Sequence, residues 1–353
     1  MKYTKIFKRR ERLRYGYYQF MDHFFGRERS FRWHNKSRRR LYTNIHNRLK
    51  ASGSVGQTFE IERRKDLTLE EFKNHYIKKG IPVVIEGQAN GWNCTKEWSL
   101  EYFKELYGEE EILFINHEAI EDPYERLLLK DVLDGIRKGE GKYYRFYPLL
   151  QRHPEHIKDF DYDWILKARH KFTIGENFQV FVGGKDSYTP LHNAFSCNIF
   201  TQAHGKKEWY LYPPYYSIVF DPDPAQNIYR SVSSRQGGAF NPFEPDYDKF
   251  PLFRYIDRIH VELNEGDVFY NPPYWWHAVK NPEDSIGVGY RWLPPMHCLK
   301  KSPLYFFLDL CARNPTLRGS MKLAKEDINL IQLAQTGRLD DYLERKKKEE
   351  QMS

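Results

Sequence analysis

Short apolar runs rich in Val, Ile, Phe, Tyr and Trp, bounded by Gly, Pro, Asn or charged residues, dominate the middle of the chain and predict strands. One begins near residues 178–183, and residues 198–214 read as a strand, a turn at Gly205 and a second strand. Another follows the turn at Gly266 and leads to His277. Upstream the pattern alternates between the two periods. Thr68 caps a helix with Glu71 at its third position, residues 82–85 form a strand, and residues 98–107 a helix capped near Ser99. A strand at 112–115 and a helix over 127–138, ended by Gly139, complete this part. After Pro294-Pro295 the pattern turns helical, over 304–312, 319–323 and 325–348, the last carrying Ile328, Ile331, Leu333 and Leu339 and ending in charges. No segment repeats.

Charge divides the chain. Residues 1–50 hold 16 Lys/Arg against 3 Asp/Glu, so the net +8 of the 353 residues belongs to this arm and the remainder is acidic. The arm interleaves its cations with Tyr17, Tyr18, Phe20, Phe24, Phe25, Phe31 and Trp33. It reads either as helices whose aromatic face docks on the main domain, the favoured reading, or as a grip on an anionic surface such as nucleic acid or membrane. Residues 51–56 have the composition of a flexible linker. The domain reading is therefore an arm and linker at 1–56, one domain at 57–297 and a helical segment at 298–353.

Cysteine usage and hydropathy narrow the setting. Cys94, Cys197, Cys298 and Cys311 form no C-x-x-C pair, which argues against a zinc site or a disulfide framework. No apolar run reaches the roughly 18 residues of a membrane span, and Met1 to Lys5 leads into no secretory h-region. A cytoplasmic protein is expected. Asn93-Cys94-Thr95 fits a glycosylation acceptor but is expected to be a plain loop.

Two histidines carry the candidate chemistry. The first lies in Thr189-Pro190-Leu191-His192-Asn193-Ala194, and the second closes Gly266-Asp267-Val268-Phe269-Tyr270-Asn271-Pro272-Pro273-Tyr274-Trp275-Trp276-His277. A single histidine on a strand is usually a packing or surface residue, but here the pieces come in order. With Gly80 to Gly87, Trp98-Ser99, Tyr107-Gly108, and the 241–247 and 250–253 segments, they resemble the JmjC-type cupin oxygenases. The last two segments are similar to those of the asparaginyl hydroxylase acting on hypoxia-inducible factor. The resemblance implies a mainly β, double-stranded β-helix (cupin, jelly-roll) fold with flanking helices, and C-terminal helices that build a homodimer.

The resemblance also implies an Fe(II) centre held by His192, His277 and a carboxylate, with 2-oxoglutarate as co-substrate. Alternate strand residues share a face, so the carboxylate belongs at position 194, which is Ala194. No Asp or Glu occurs from 193 to 207; Asn193 would need a bulge and Cys197 the other strand face to replace it. Lys207 matches the family's anchor for the distal carboxylate of the co-substrate, with the neighbouring Lys206 as a solvated alternative. Thr189, Asn198 and Tyr144 match other co-substrate positions, Tyr144 least well. Alanine at the carboxylate position also occurs in the halogenases of this chemistry, where chloride takes the vacated place on iron. The expected function is thus halogenation, or else hydroxylation, of an unactivated C–H of an amino acid, peptide or protein. A catalytically inactive binding module is the alternative. An open groove around residues 229–232 and Gly237-Gly238 would suit a peptide, and a closed pocket a free amino acid.

Overall fold

A computed structural model describes residues 3–115, 124–140, 143–224, 230–231 and 240–313, with a few further positions up to 348. Two helices open the chain, α1 (Arg9–Phe25) and α2 (Arg27–Ser52), turned back on each other at Gly26. Strands β1 (Thr58–Glu60), β2 (Arg63–Arg64), β3 (Val83–Ile85), β4 (Glu111–Ile115), β5 (Tyr124–Leu128) and β6 (Tyr143–Tyr147) follow, interspersed with helices. The central run is β7 (Ile174–Gly183), β8 (Tyr188–Asn193), β9 (Cys197–His204), β10 (Lys207–Tyr212) and β11 (Arg230–Ser231). It ends with β12 (Arg258–Leu263), β13 (Val268–Asn271), β14 (Trp276–Lys280) and β15 (Ser285–Leu293).

These strands form two large sheets, ordered β1-β12-β10-β14-β8-β11 and β2-β3-β13-β9-β15-β7-β6. The chain passes between them at each step from β7 to β10 and from β12 to β15, which is the double-stranded β-helix of a cupin fold. Side-chain alternation then separates three cores. Inward residues from both sheets, among them Phe181, Phe200, Trp209, Val261 and Phe269, fill the barrel. Outward residues of the second sheet pack under the helices of residues 69–168. Outward residues of the first, Leu191, Tyr212, Trp276 and Ala278, pack under α1, α2 and the helix Pro303–Leu310. Each large apolar side chain so buried contributes roughly 1.5–3 kcal/mol.

The arm therefore docks through Tyr15, Tyr18, Leu41, Ile45 and Leu49, all buried. Arg38, buried between the two helices, pairs with Asp22 and lies 4.5 Å over the Tyr18 ring. The expected linker is mostly not one. Helix α2 continues through Ser52, Gly53 caps it in the left-handed region, and the Gly56 N–H donates to Arg254 O at 2.8 Å.

Thr68 and Ser99 cap their helices as expected, accepting from the amides of Glu71 and Tyr102. The expected helix over 127–138 starts late, because Leu127 and Leu128 pair with Ile112 and Glu111 in the β4–β5 hairpin, leaving Leu129–Arg137 helical. Asn93-Cys94-Thr95 lies in the short helix Asn93–Glu97 rather than a loop, with Cys94 buried. Residues 319–323 and most of 325–348 lie outside the described residues, as do Tyr229, Val232 and Gly237-Gly238. No helix among the described residues is long and apolar enough to cross a membrane.

Candidate active site

His192 on β8 and His277 on β14 are direct partners across an antiparallel pair, with ring centroids 4.2 Å apart. Both face the barrel, because their neighbours Leu191 and Ala278 belong to the outer core. His192 Nδ1 lies 2.8 Å from Pro190 O, and His277 Nδ1 lies 2.9 Å from Trp275 O. A carbonyl only accepts, so each Nδ1 carries the proton and each Nε2 presents a lone pair. Burial pushes His192 down to about 4, with Arg291 and Arg145 adding to the effect. Burial likewise holds His277 well below its ordinary value, reinforced by His192. Two neutral imidazoles presented side by side are the form a divalent metal requires.

No third acidic, histidine or cysteine ligand joins them among the described residues. Strand β8 ends at Asn193, and Ala194 accepts the Tyr274 N–H at 2.7 Å through its carbonyl. Asn193 is buried on the opposite face, beside Leu191. Cys197 points into the outer core, its Sγ 3.6 Å from the Tyr270 hydroxyl, and burial pushes its thiol up. Neither stands in for the carboxylate.

Deeper in the barrel, Lys207 is fully buried while Lys206 is exposed. The Lys207 ammonium donates to Asn281 Oδ1 at 2.5 Å and Ser285 Oγ at 2.8 Å, and no carboxylate pairs with it among the described residues. Burial lowers it to about 7. A buried cation held only by neutral oxygens is an incomplete arrangement, which an incoming carboxylate completes. The glycines of β15 let these side chains close in, since a Cβ on Gly287 would meet Phe200 at 2.2 Å and Lys207 Cε at 3.1 Å. A Cβ on Gly289 would meet Asn198 Oδ1 at 2.8 Å.

Three of the four expected co-substrate residues share this interior: Lys207, Thr189 and Asn198. The Asn198 Oδ1 is buried without a partner. Thr189 and Asn281 lie beside the Tyr143 hydroxyl and partly offset the burial that raises it. Tyr144 does not belong here. It lies on the other face of β6, in the outer core, 6.0 Å from Phe114 and 5.0 Å from Tyr147 between ring centroids. Tyr143 faces the interior instead, its ring 5.4 Å from the Lys207 Nζ.

Other residues of the interior escape a reading of the sequence. Asn271, opposite Asn198 on β13, brings its amide to 3.4 Å from His277 Nδ1. Its position two residues after Phe269 on the same strand face was the available signal. Arg145 packs 4.9 Å over Tyr143 and donates to Tyr188 O at 2.7 Å. It and Arg291 carry positive charge toward His192. Both come from segments with no motif of their own.

The site has two metal-competent histidines, no carboxylate among the described residues, and three cations within its electrostatic reach. It fits Fe(II) with two of the usual three protein ligands, and it fits a dianionic co-substrate through Lys207.

Residues 69–297 match the cupin-like domain family. The chain is 28% identical over 251 residues to JmjC domain-containing protein D of Dictyostelium discoideum, covering 63% of this chain and 53% of that protein. It is 24% identical over 287 residues to human tRNA wybutosine-synthesizing protein 5, covering 71% and 84%. It is 27% identical over 239 residues to lysine-specific demethylase 8 of Xenopus tropicalis, covering 64% and 51%. The match thus spans about half the length of the first and third of these relatives and most of the second. With the fold, the paired strands and the family match in agreement, the chain belongs to the cupin-like domain family.

Proposed function

We propose that the protein is an Fe(II)- and 2-oxoglutarate-dependent oxidoreductase that halogenates an unactivated C–H of an amino-acid side chain, free or in a peptide or protein. His192 and His277 would hold the iron, and Lys207 would anchor the distal carboxylate of the co-substrate, with Tyr143, Thr189 and Asn198 around it. Bound iron would supply oxygen activation coupled to decarboxylation of 2-oxoglutarate. The balanced reaction joins R–H, chloride, a proton, O₂ and 2-oxoglutarate to give R–Cl, water, succinate and CO₂.

The observation that carries this reading is the His192–His277 pair with Ala194 where a carboxylate belongs and no acidic substitute among the described residues. Arg145 and Arg291 supply positive charge beside His192. A missing anionic ligand together with nearby cations favours an exogenous anion at the metal. The protein's own groups do the positioning: carbonyl-bound imidazoles fix the ligand tautomers, and the buried Lys207 ammonium would orient the co-substrate. The amino-acid substrate class is supported by relatives whose names specify lysine and arginine demethylases.

Succinate formation, measured with and without chloride, tests the reading. The wild type should turn over 2-oxoglutarate faster with chloride, and Ala194→Asp should remove that dependence. Turnover indifferent to chloride would leave a two-histidine hydroxylase, and the absence of any turnover would point to a binding module.

A further inference from the structure

Outside the barrel, a groove of about 880 Å³ runs between one face of α1, the 79–82 turn, the 213–217 segment and the start of the helix Pro303–Leu310. No Asp or Glu lines it. Lys5, Arg9, Arg12 and Lys79 stand exposed around it, and Lys301 is half-buried with its ammonium on the carbonyls of Lys79 and Gly80. None of these five is paired with a carboxylate among the described residues. The arm's own acids do not offset them, since Glu11 is held by Arg48, Asp22 by Arg27 and Arg38, and Glu28 does not line the groove.

Aromatic faces lie among the cations. Tyr3 and Tyr215 sit in the groove with ring centroids 5.6 Å apart, and the Arg12 guanidinium lies 5.0 Å over Tyr215. Arg9, Arg12, Leu13, Gly16 and Tyr17 form one stripe of α1 at helical spacing, ending in Tyr17, which is 49% exposed. The far wall includes Trp275, which also packs into the barrel core two residues before His277.

The combination selects a partner. A bilayer presents a flat anionic plane that cannot reach rings set within a recess. An acidic peptide supplies charge, but a ring for each of those faces only where its sequence happens to place aromatic residues. A single strand of nucleic acid supplies phosphates and unstacked bases together, and cations with interleaved aromatics are the surface that takes it. We infer that this groove binds single-stranded nucleic acid, phosphates on Lys5, Arg9, Arg12 and Lys79 and bases against Tyr3, Tyr17 and Tyr215. The inference stands apart from the reaction assigned to the barrel, since its test reads binding alone.

The experiment is fluorescence anisotropy of the full chain with labelled single strands of about 12 nucleotides, within the range such grooves cover. RNA and DNA of the same sequence distinguish the sugars, and binding of either supports the groove. With four or five phosphates engaged, affinity should fall about a hundredfold between 50 and 200 mM salt. Arg9→Glu with Arg12→Glu should remove most binding, and Lys36→Glu with Arg39→Glu, on the arm but outside the groove, should remove far less. Tyr17→Ala, at a half-exposed position, should weaken binding about tenfold. Equal losses from the two charge reversals, no effect of Tyr17→Ala, or tighter binding to duplex, poly-glutamate or anionic phosphatidylserine vesicles would overturn the inference.

Discussion

Burial lowers the Lys207 ammonium from its ordinary 10.5 to about 7, while Asn281 and Ser285 hold it in place. A carboxylate arriving beside it favours the charged form and raises that value. Binding of 2-oxoglutarate at pH 8 should therefore take up on the order of one proton per site. Calorimetry in buffers of different ionisation enthalpy measures this, and a binding enthalpy independent of buffer would remove Lys207 from the co-substrate site. The sign for stability follows from the same depressed value. Between about 7 and 10.5 the unfolded lysine holds its proton and the folded one does not, so the unliganded protein gains stability as pH rises through that window. Lys207→Ala should weaken 2-oxoglutarate binding by about 2–5 kcal/mol, the range for removing one partner of a buried charge pair. Lys206→Ala, at an exposed position, should leave it unchanged.

Among the elements, the turn before β14 is held from outside the barrel. Tyr274 adopts φ 63°, a left-handed conformation costly for a side chain of that size. Its N–H goes to Ala194 O, and its hydroxyl donates to Asp309 Oδ2 at 2.8 Å. The other oxygen of Asp309 accepts from the buried Arg230 at 2.5 Å, and Arg230 sits on β11 beside Asn193 of β8. One carboxylate on the helix Pro303–Leu310 thus ties together the two segments that flank the histidine pair. Asp309→Ala strands a buried guanidinium and should cost about 3–5 kcal/mol in denaturant unfolding; a loss under 1 kcal/mol would show the network to be incidental.

Legibility in the sequence follows the same division. That His192, His277 and Lys207 face one barrel interior was readable, because each sits in a local motif with strand spacing. Tyr144, the residue expected inside, faces the outer core and Tyr143 the barrel, since a one-residue choice on β6 reverses the face and only the pairing with β7 decides it. Leu127 and Leu128 fitted a helical pattern until β4 supplied a strand partner. Asn281, Ser285, Arg145 and Arg291 gain their roles only from the register of distant strands.

For the molecule as a whole, the arrangement is a packed barrel whose outer faces are covered by helices at both ends of the chain. The basic arm covers one of those faces, so Ile45→Ala, at a fully buried position between α2 and the first sheet, should destabilise by about 2–5 kcal/mol in denaturant unfolding. A change under 1 kcal/mol would mean that the arm adds little to the folded core. The barrel in turn presents two histidines with no carboxylate beside them among the described residues, and that is the central claim about its chemistry. Anaerobic titration of Fe(II) with 2-oxoglutarate, with and without chloride, following the visible metal-to-ligand charge-transfer band, tests it most directly. The wild type should develop the band and bind 2-oxoglutarate more tightly with chloride present, each ligand raising the other's affinity by the same factor. His277→Ala should abolish the band. A band that survives in His277→Ala, or a wild type that forms none, would contradict the two-histidine centre.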